Sequence, residues 1–115
     1  MKLAFYTNQW AATYQLEKGK LISLLGSDVI DIQHIGSTAI HGIAAKPIVD
    51  IMLLLHSIQR ASPYLEALGK LGYEYARDRS STERYFFTKG NPVAIHLSLA
   101  DRSTPYWDRQ IAFRD

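Results

Sequence analysis

Between Ile48 and Leu55 the chain reads IVDIMLLL, a run that is apolar throughout except for one carboxylate, Asp50. A strand with one wet face alternates apolar and polar residues, whereas a run apolar on both faces belongs to a strand covered on both sides. This run therefore predicts a central strand and demands a layer of structure on each side of it. It also poses a problem. An ionised carboxylate on such a strand is costly unless a metal, an opposite charge or hydrogen-bond donors satisfy it.

The rest of the chain supplies the cover. From Asn8 to Leu25 the residues Trp10, Tyr14, Leu21, Leu24 and Leu25 recur at three- and four-residue steps with Glu17, Lys18 and Lys20 between them, which predicts an amphipathic helix. Asn8 is placed to cap its start and Gly26 to close it as a left-handed residue. Val29 to Ile35 is rich in β-branched residues and ends at a Gly-Ser turn, as a strand does. Ser62-Pro63 opens a second helix, with Leu65, Leu68 and Leu71 as its buried stripe and Gly72 as its stop. Glu83 to Thr88 and Val93 to Leu99 read as strands joined by Lys89-Gly90-Asn91-Pro92, a connection suited to a hairpin. Thr104-Pro105 starts a terminal helix that runs to about Phe113.

That order, with no internal repeat or long linker, predicts one α/β (α+β) domain over residues 1–115: a mixed β-sheet with helices packed mainly on one face. At 47% hydrophobic and 21% charged residues the chain has enough apolar surface to fold. Thirteen Lys plus Arg against eleven Asp plus Glu leave a formal charge of +2, too small to point to nucleic acid. There is no cysteine, so disulfides, thiolate nucleophiles and Cys-based zinc sites are excluded, in keeping with a cytoplasmic location. The N-terminal residues lack a signal-peptide pattern, and no apolar run approaches the roughly 20 residues that cross a bilayer, so no membrane partner is expected.

The chemistry concentrates in His34 to Asp50, HIGSTAIHGIAAKPIVD. A Gly36-Ser37 turn at a strand end, followed by Thr38 and a predicted short helix, presents backbone N–H groups and two hydroxyls at one place. Such donors suit phosphate oxygens. Asp50, on the next strand, suits a magnesium ion that bridges phosphate oxygens, and Lys46 adds a point charge just before it. His96 alternates with Ala94 and Ser98, opposite Val93, Ile95, Leu97 and Leu99, which turns it toward a cleft rather than the core. Arg84 is placed to clamp phosphate from a neighbouring strand, and Lys89 is a weaker candidate for the same task. The bland readings are a salt-bridged Asp50, paired with Lys46 or Arg84, and structural histidines at 34 and 96. His41 and His56 read as turn and surface residues. The aromatics Tyr73, Tyr75, Tyr85, Phe86 and Phe87 read as core.

The stretch HIGSTAIHGIAAKPIVDI resembles the signature of the GrpB family. Tyr6 with Trp10, Arg84 to Phe87, and Trp107 with Phe113-Arg114-Asp115 are similar to further motifs of that family, so the resemblance spans nearly the whole chain. It implies the nucleotidyltransferase-like fold, in which a Gly-Ser turn grips nucleotide phosphates and strand carboxylates bind a divalent metal. Fusion of GrpB-like domains to dephospho-CoA kinase in some proteins implies a link to nucleotide or coenzyme-A metabolism. The chain departs from the pattern in four places. Met52 stands where active nucleotidyltransferases carry a second strand acid, His41 stands where proline is usual, and His96-Leu97-Ser98 stands where His-Leu-His is common. The sequence also stops at Asp115 where relatives continue into further helix, so a C-terminal extension is expected to be lacking and an exposed seam to support a homodimer.

The expected protein is thus a metal-dependent nucleotidyltransferase-like protein that binds a nucleotide or related phosphorylated small molecule. Gly36, Ser37 and Thr38 would hold phosphate and Asp50 would hold magnesium, while Lys46, Arg84 and His96 neutralise charge or position the acceptor. The alternative is a non-catalytic nucleotide- or phosphate-binding module, a sensor or accessory, which the missing second carboxylate favours.

Overall fold

The computed structural model describes residues 4–5, 8–35, 44–45, 48–60 and 62–114. Its strands are β1 (Ala4–Phe5), β2 (Val29–Ile35), β3 (Ala44–Ala45), β4 (Val49–Leu55), β5 (Tyr73–Tyr75), β6 (Tyr85–Lys89) and β7 (Ile95–Ala100). Its helices are α1 (Asn8–Leu25), α2 (Ser62–Lys70) and α3 (Tyr106–Arg114). Five strands form one mixed sheet in the order β2-β4-β7-β6-β5, while β1 and β3 pair as a separate two-stranded ribbon. Only β4 and β7 run parallel; β2 with β4, β7 with β6, and β6 with β5 are antiparallel.

The apolar run does form an interior strand, flanked by β2 and β7. Met52, Leu53 and Leu54 are fully buried, so both of its faces are covered there. One face carries Ile51, Leu53, Leu97, Leu99 and Phe87, packed into a core with Trp10, Tyr14, Leu21 and Leu25 of α1 and Leu68 of α2. Tyr14 also donates its hydroxyl to the Ile32 carbonyl at 3.1 Å, which fastens α1 to β2. The opposite face is half covered: Met52, Leu54 and Ala100 pack with Tyr106 and Trp107 of α3. Two of the three helices therefore share one face, as expected, and the third closes only part of the other.

Several expectations shift. The α1 and β2 boundaries stand as read, and Gly26 adopts φ +58°, the left-handed closure expected of it. The hairpin strands begin two residues later than expected, at Tyr85 and Ile95, and α3 begins at Tyr106. Three short strands went unread. Of these, β5 is held by pairing Tyr73, Glu74 and Tyr75 to Lys89, Thr88 and Phe87 of β6, a long-range stabilisation that three residues cannot signal by themselves.

The amphipathic reading of α1 holds for Trp10, Tyr14, Leu21 and Leu25 but not for Leu24, which is exposed, nor for Glu17. Instead of facing water Glu17 is buried, with Lys89 Nζ at 2.7 Å and the Tyr73 hydroxyl at 2.9 Å on the same oxygen, while Lys20 Nζ stands 3.4 Å from the other. Lys89 is therefore tied to α1 on the helix-covered face and not available as a phosphate clamp. Among the described residues no helix is long and apolar enough to cross a membrane.

Candidate functional site

The partly covered sheet face is built by alternation. In β4 the residues Asp50, Met52 and Leu54 point to it, and in β7 the residues His96, Ser98 and Ala100 do. The parallel register sets Asp50 beside His96, Met52 beside Ser98 and Leu54 beside Ala100. The last two pairs lie at or under α3, but the first lies beyond it. There the Asp50 and His96 side chains keep 34% and 21% of their surface exposed.

Asp50 Oδ1 and His96 Nδ1 are 3.2 Å apart. With Nδ1 protonated, the imidazole donates to the carboxylate. Burial pushes the Asp50 carboxyl above its ordinary value, outweighing the attraction of His96 and of the Arg79 and Arg84 charges. Burial likewise holds the His96 imidazole below its ordinary value; Asp50 opposes this, while Arg79 and Arg84 add to it. The carboxylate on the central strand is thus satisfied by an imidazole from the neighbouring strand.

Phe86 of β6 lies beside this pair. It faces Ser98 in the β6–β7 register and meets the His96 ring edge to face, with centroids 5.1 Å apart. Two guanidinium groups pack on the same phenyl ring, Arg79 at 4.2 Å and Arg84 at 4.4 Å from its centroid. Arg84 is further held by two hydrogen bonds from Nη1, to Ser98 Oγ at 3.2 Å and to the Tyr106 hydroxyl at 3.1 Å. Neither arginine pairs with a carboxylate among the described residues, so the site holds more positive than negative fixed charge.

Of the residues singled out in the sequence, Asp50, His96 and Arg84 gather here. Gly36, Ser37, Thr38, His41 and Lys46 lie outside the described residues. Ile35, immediately before Gly36 in the chain, pairs with Asp50. His34 belongs to the other face, where it stacks on Tyr14 of α1 at 5.1 Å, the structural role weighed for it. His56 is exposed, as expected. Among the described residues no three His, Cys, Asp or Glu side chains gather into one group. Arg79 was not read from the sequence, because a turn residue carries no periodic signal, and Phe86 was read only as core.

A profile of the GrpB protein family matches residues 1–115. The chain is 39% identical over 113 residues to a UPF0157 protein of Streptomyces coelicolor, covering 98% of this chain and 59% of that one. It is 33% identical over 116 residues to the UPF0157 protein YqkA of Bacillus subtilis, covering 100% of this chain and 34% of that one. It thus spans well under two thirds of the length of these curated relatives. A dephospho-CoA kinase of Mycolicibacterium paratuberculosis is 30% identical over 110 residues, covering 84% of this chain and 27% of the kinase. The crystal structure of conserved protein GrpB from Enterococcus faecalis superposes with a TM-score of 0.91 at 25% identity, covering 98% of this chain and 70% of that one. With a match along its whole length and the same nucleotidyltransferase-like architecture, the chain belongs to the GrpB family.

Proposed function

We propose that the chain binds a nucleotide or related phosphorylated small molecule at the Asp50–His96 end of the open sheet face. The observation that supports this reading best is the grouping of one partly exposed carboxylate, one imidazole and two guanidinium groups around Phe86. Its excess of positive charge suits a multiply charged anion, and Arg offers its donors in a planar fork matched to phosphate oxygens. In this reading the Gly36-Ser37-Thr38 segment, which follows the Asp50 partner Ile35 in the chain, contributes backbone donors to phosphate, and Lys46 adds charge. His96, oriented by Asp50, positions the acceptor.

Magnesium suits Asp50 in one respect. It takes hard oxygen donors and is usually held by one or two carboxylates together with phosphate oxygens and water. Asp50 supplies the single carboxylate, and the remaining oxygens would be the ligand's and solvent's; when bound, the ion would neutralise phosphate charge.

A second reading, binding without turnover, draws on Met52. The second acid of an active nucleotidyltransferase would stand at this position, two residues from Asp50 and on the same face. Here the position is fully buried in the apolar layer with Tyr106 and Trp107, and has no access to a metal. The likeness to a dephospho-CoA kinase adds coenzyme-A precursors to the ligand classes worth screening.

A thermal-shift screen of nucleoside triphosphates and coenzyme-A precursors, with and without magnesium, tests the proposal. A ligand at 100 times its dissociation constant adds about 2.7 kcal/mol. For a domain of this size that corresponds to a rise in Tm of about 10 °C. The expected result is a magnesium-dependent rise that Asp50→Asn abolishes. No rise with any phosphorylated ligand would sink the proposal, and pyrophosphate release from a ligand that binds would separate the enzyme from the module.

A further inference from the structure

We infer that Arg79 and Arg84, packed on the Phe86 ring, form a two-guanidinium clamp for a phosphate group, with Arg79 as its exposed jaw. The inference rests on the phosphate-binding reading above and extends it to a residue outside every motif of the sequence.

The turn that bears Arg79 is fastened to β6 on both sides of it. The Ala76 amide donates to the Phe86 carbonyl at 2.8 Å, and the Ser80 hydroxyl both accepts from the Phe86 amide and donates to the Ala76 carbonyl, each at 2.9 Å. The Ser81 amide then donates to the Arg84 carbonyl at 2.9 Å. Residues 77–79 form a single 3₁₀ turn inside this set of bonds, so the backbone delivers Arg79 to the face of Phe86 rather than leaving it on a loose loop.

The two jaws differ in how they are held. Arg84 spends Nη1 on Ser98 and Tyr106, and among the described residues its Nε and Nη2 make no side-chain hydrogen bond. The Arg79 side chain has no hydrogen bond or ion pair among the described residues; its amide donates to the Ala76 carbonyl at 3.2 Å, and the guanidinium is kept in place by the turn and by its stack on the ring. Both charges are close enough to act on Asp50 and His96, and neither is ion-paired with a carboxylate among the described residues. Two planar donors already ordered against one aromatic ring lose less side-chain freedom on binding than two free arginines would. A doubly charged phosphate group is the anion that engages both, and this contribution does not depend on magnesium.

The test is calorimetric titration of the protein with inorganic triphosphate, without magnesium, for wild type, Arg79→Gln, Arg84→Gln and Arg77→Gln. Arg77 is exposed on the same turn and has no ring contact among the described residues, so it controls for net charge. Removing a charge-assisted donor pair is expected to weaken binding about tenfold for Arg79→Gln and for Arg84→Gln, with Arg77→Gln near wild type. Equal affinities for Arg79→Gln and Arg77→Gln would overturn the clamp while leaving phosphate binding in place. Failure of the wild type to bind triphosphate without magnesium would overturn the clamp, while the thermal-shift screen with magnesium decides the phosphate-binding reading separately. Arg84→Gln also loses two hydrogen bonds; if it fails to fold, the exposed Arg79 variant still decides the matter.

Discussion

Phe87→Ala is expected to lower the unfolding free energy by about 3–5 kcal/mol, the range for deleting a buried phenyl ring. Phe87 is fully buried on β6, one strand in from the β5 edge of the sheet, opposite Leu97 of β7 on one side and Tyr75 of β5 on the other. It shares a core with Leu21 of α1, Leu53 of β4 and Leu68 of α2, so the cavity would open between the sheet and both helices of that face. A domain with about 5–15 kcal/mol of total stability would lose a large fraction of it. Urea unfolding followed by tryptophan fluorescence measures the change. Val93→Ala, at a position 37% exposed, serves as the control and should stay within about 0.5 kcal/mol of wild type. A Phe87→Ala loss as small as that would mean that the sheet–helix core is not packed as described.

Lys89→Met is expected to be nearly as damaging, about 3 kcal/mol, through a different mechanism. The Glu17 side chain is only 5% exposed, and Lys89 Nζ, 2.7 Å away, is its nearest charge. Removing the ammonium leaves a buried carboxylate with the Tyr73 hydroxyl and the more distant Lys20, and breaking one side of a buried pair typically costs several kcal/mol. The effect has a pH signature. Burial pushes the Glu17 carboxyl up, but the Lys89 and Tyr73 hydrogen bonds and the Lys89 charge win, so it titrates below its ordinary value of 4.5. The folded state then binds the proton less readily than the unfolded chain. This contribution is present in full above pH 4.5 and is lost as pH falls through the lower folded value. Asp101 has the same sign: burial pushes it up, but the Ser103 hydroxyl and the Ile58 and Ser103 amides pull it lower still. Asp50, raised by burial, has the opposite sign. Wild type should therefore lose stability as pH falls below 4.5 toward the lowered folded values of Glu17 and Asp101. Lys89→Met should lose less over that interval, because its Glu17 no longer favours the ionised form. An unchanged acid slope in the variant would show that Lys89 does not hold Glu17 ionised.

Most of the elements were legible because their signals are local. The three- and four-residue spacing of Trp10, Tyr14 and Leu21 specifies α1, Gly26 closes it, and the β-branched run from Val29 specifies β2. The doubly apolar run required cover on both faces and received it, from α1 and α2 on one side and α3 on the other. Legibility failed where a residue's environment comes from distant chain. Glu17, three residues after Tyr14 and four before Leu21, has the spacing of the buried stripe but the charge of a solvent-facing residue, and only Tyr73 and Lys89, far along the sequence, supply the partners that let a carboxylate occupy that position. Strands β1, β3 and β5 are too short to show a period and exist through their partners.

The candidate site divides in the same way. Asp50 could be singled out from sequence because a lone carboxylate in an apolar run is an energetic anomaly, and His96 because alternation sets it apart from its apolar neighbours. Their meeting could not be read. It depends on β4 and β7 lying parallel and in register across an intervening helix and two strands, and no local pattern encodes the pairing of segments 46 residues apart. Likewise, Arg84 advertised itself as a charge next to an aromatic strand, whereas Arg79 is an ordinary turn residue until four backbone and hydroxyl hydrogen bonds press its turn against Phe86. The amino-acid sequence determined the strand, its lone charge and the helices that cover it, since spacing and hydrophobicity act over a few residues. The tertiary structure alone decided what stands beside that charge, because strand order and register are set by the packing of the whole sheet.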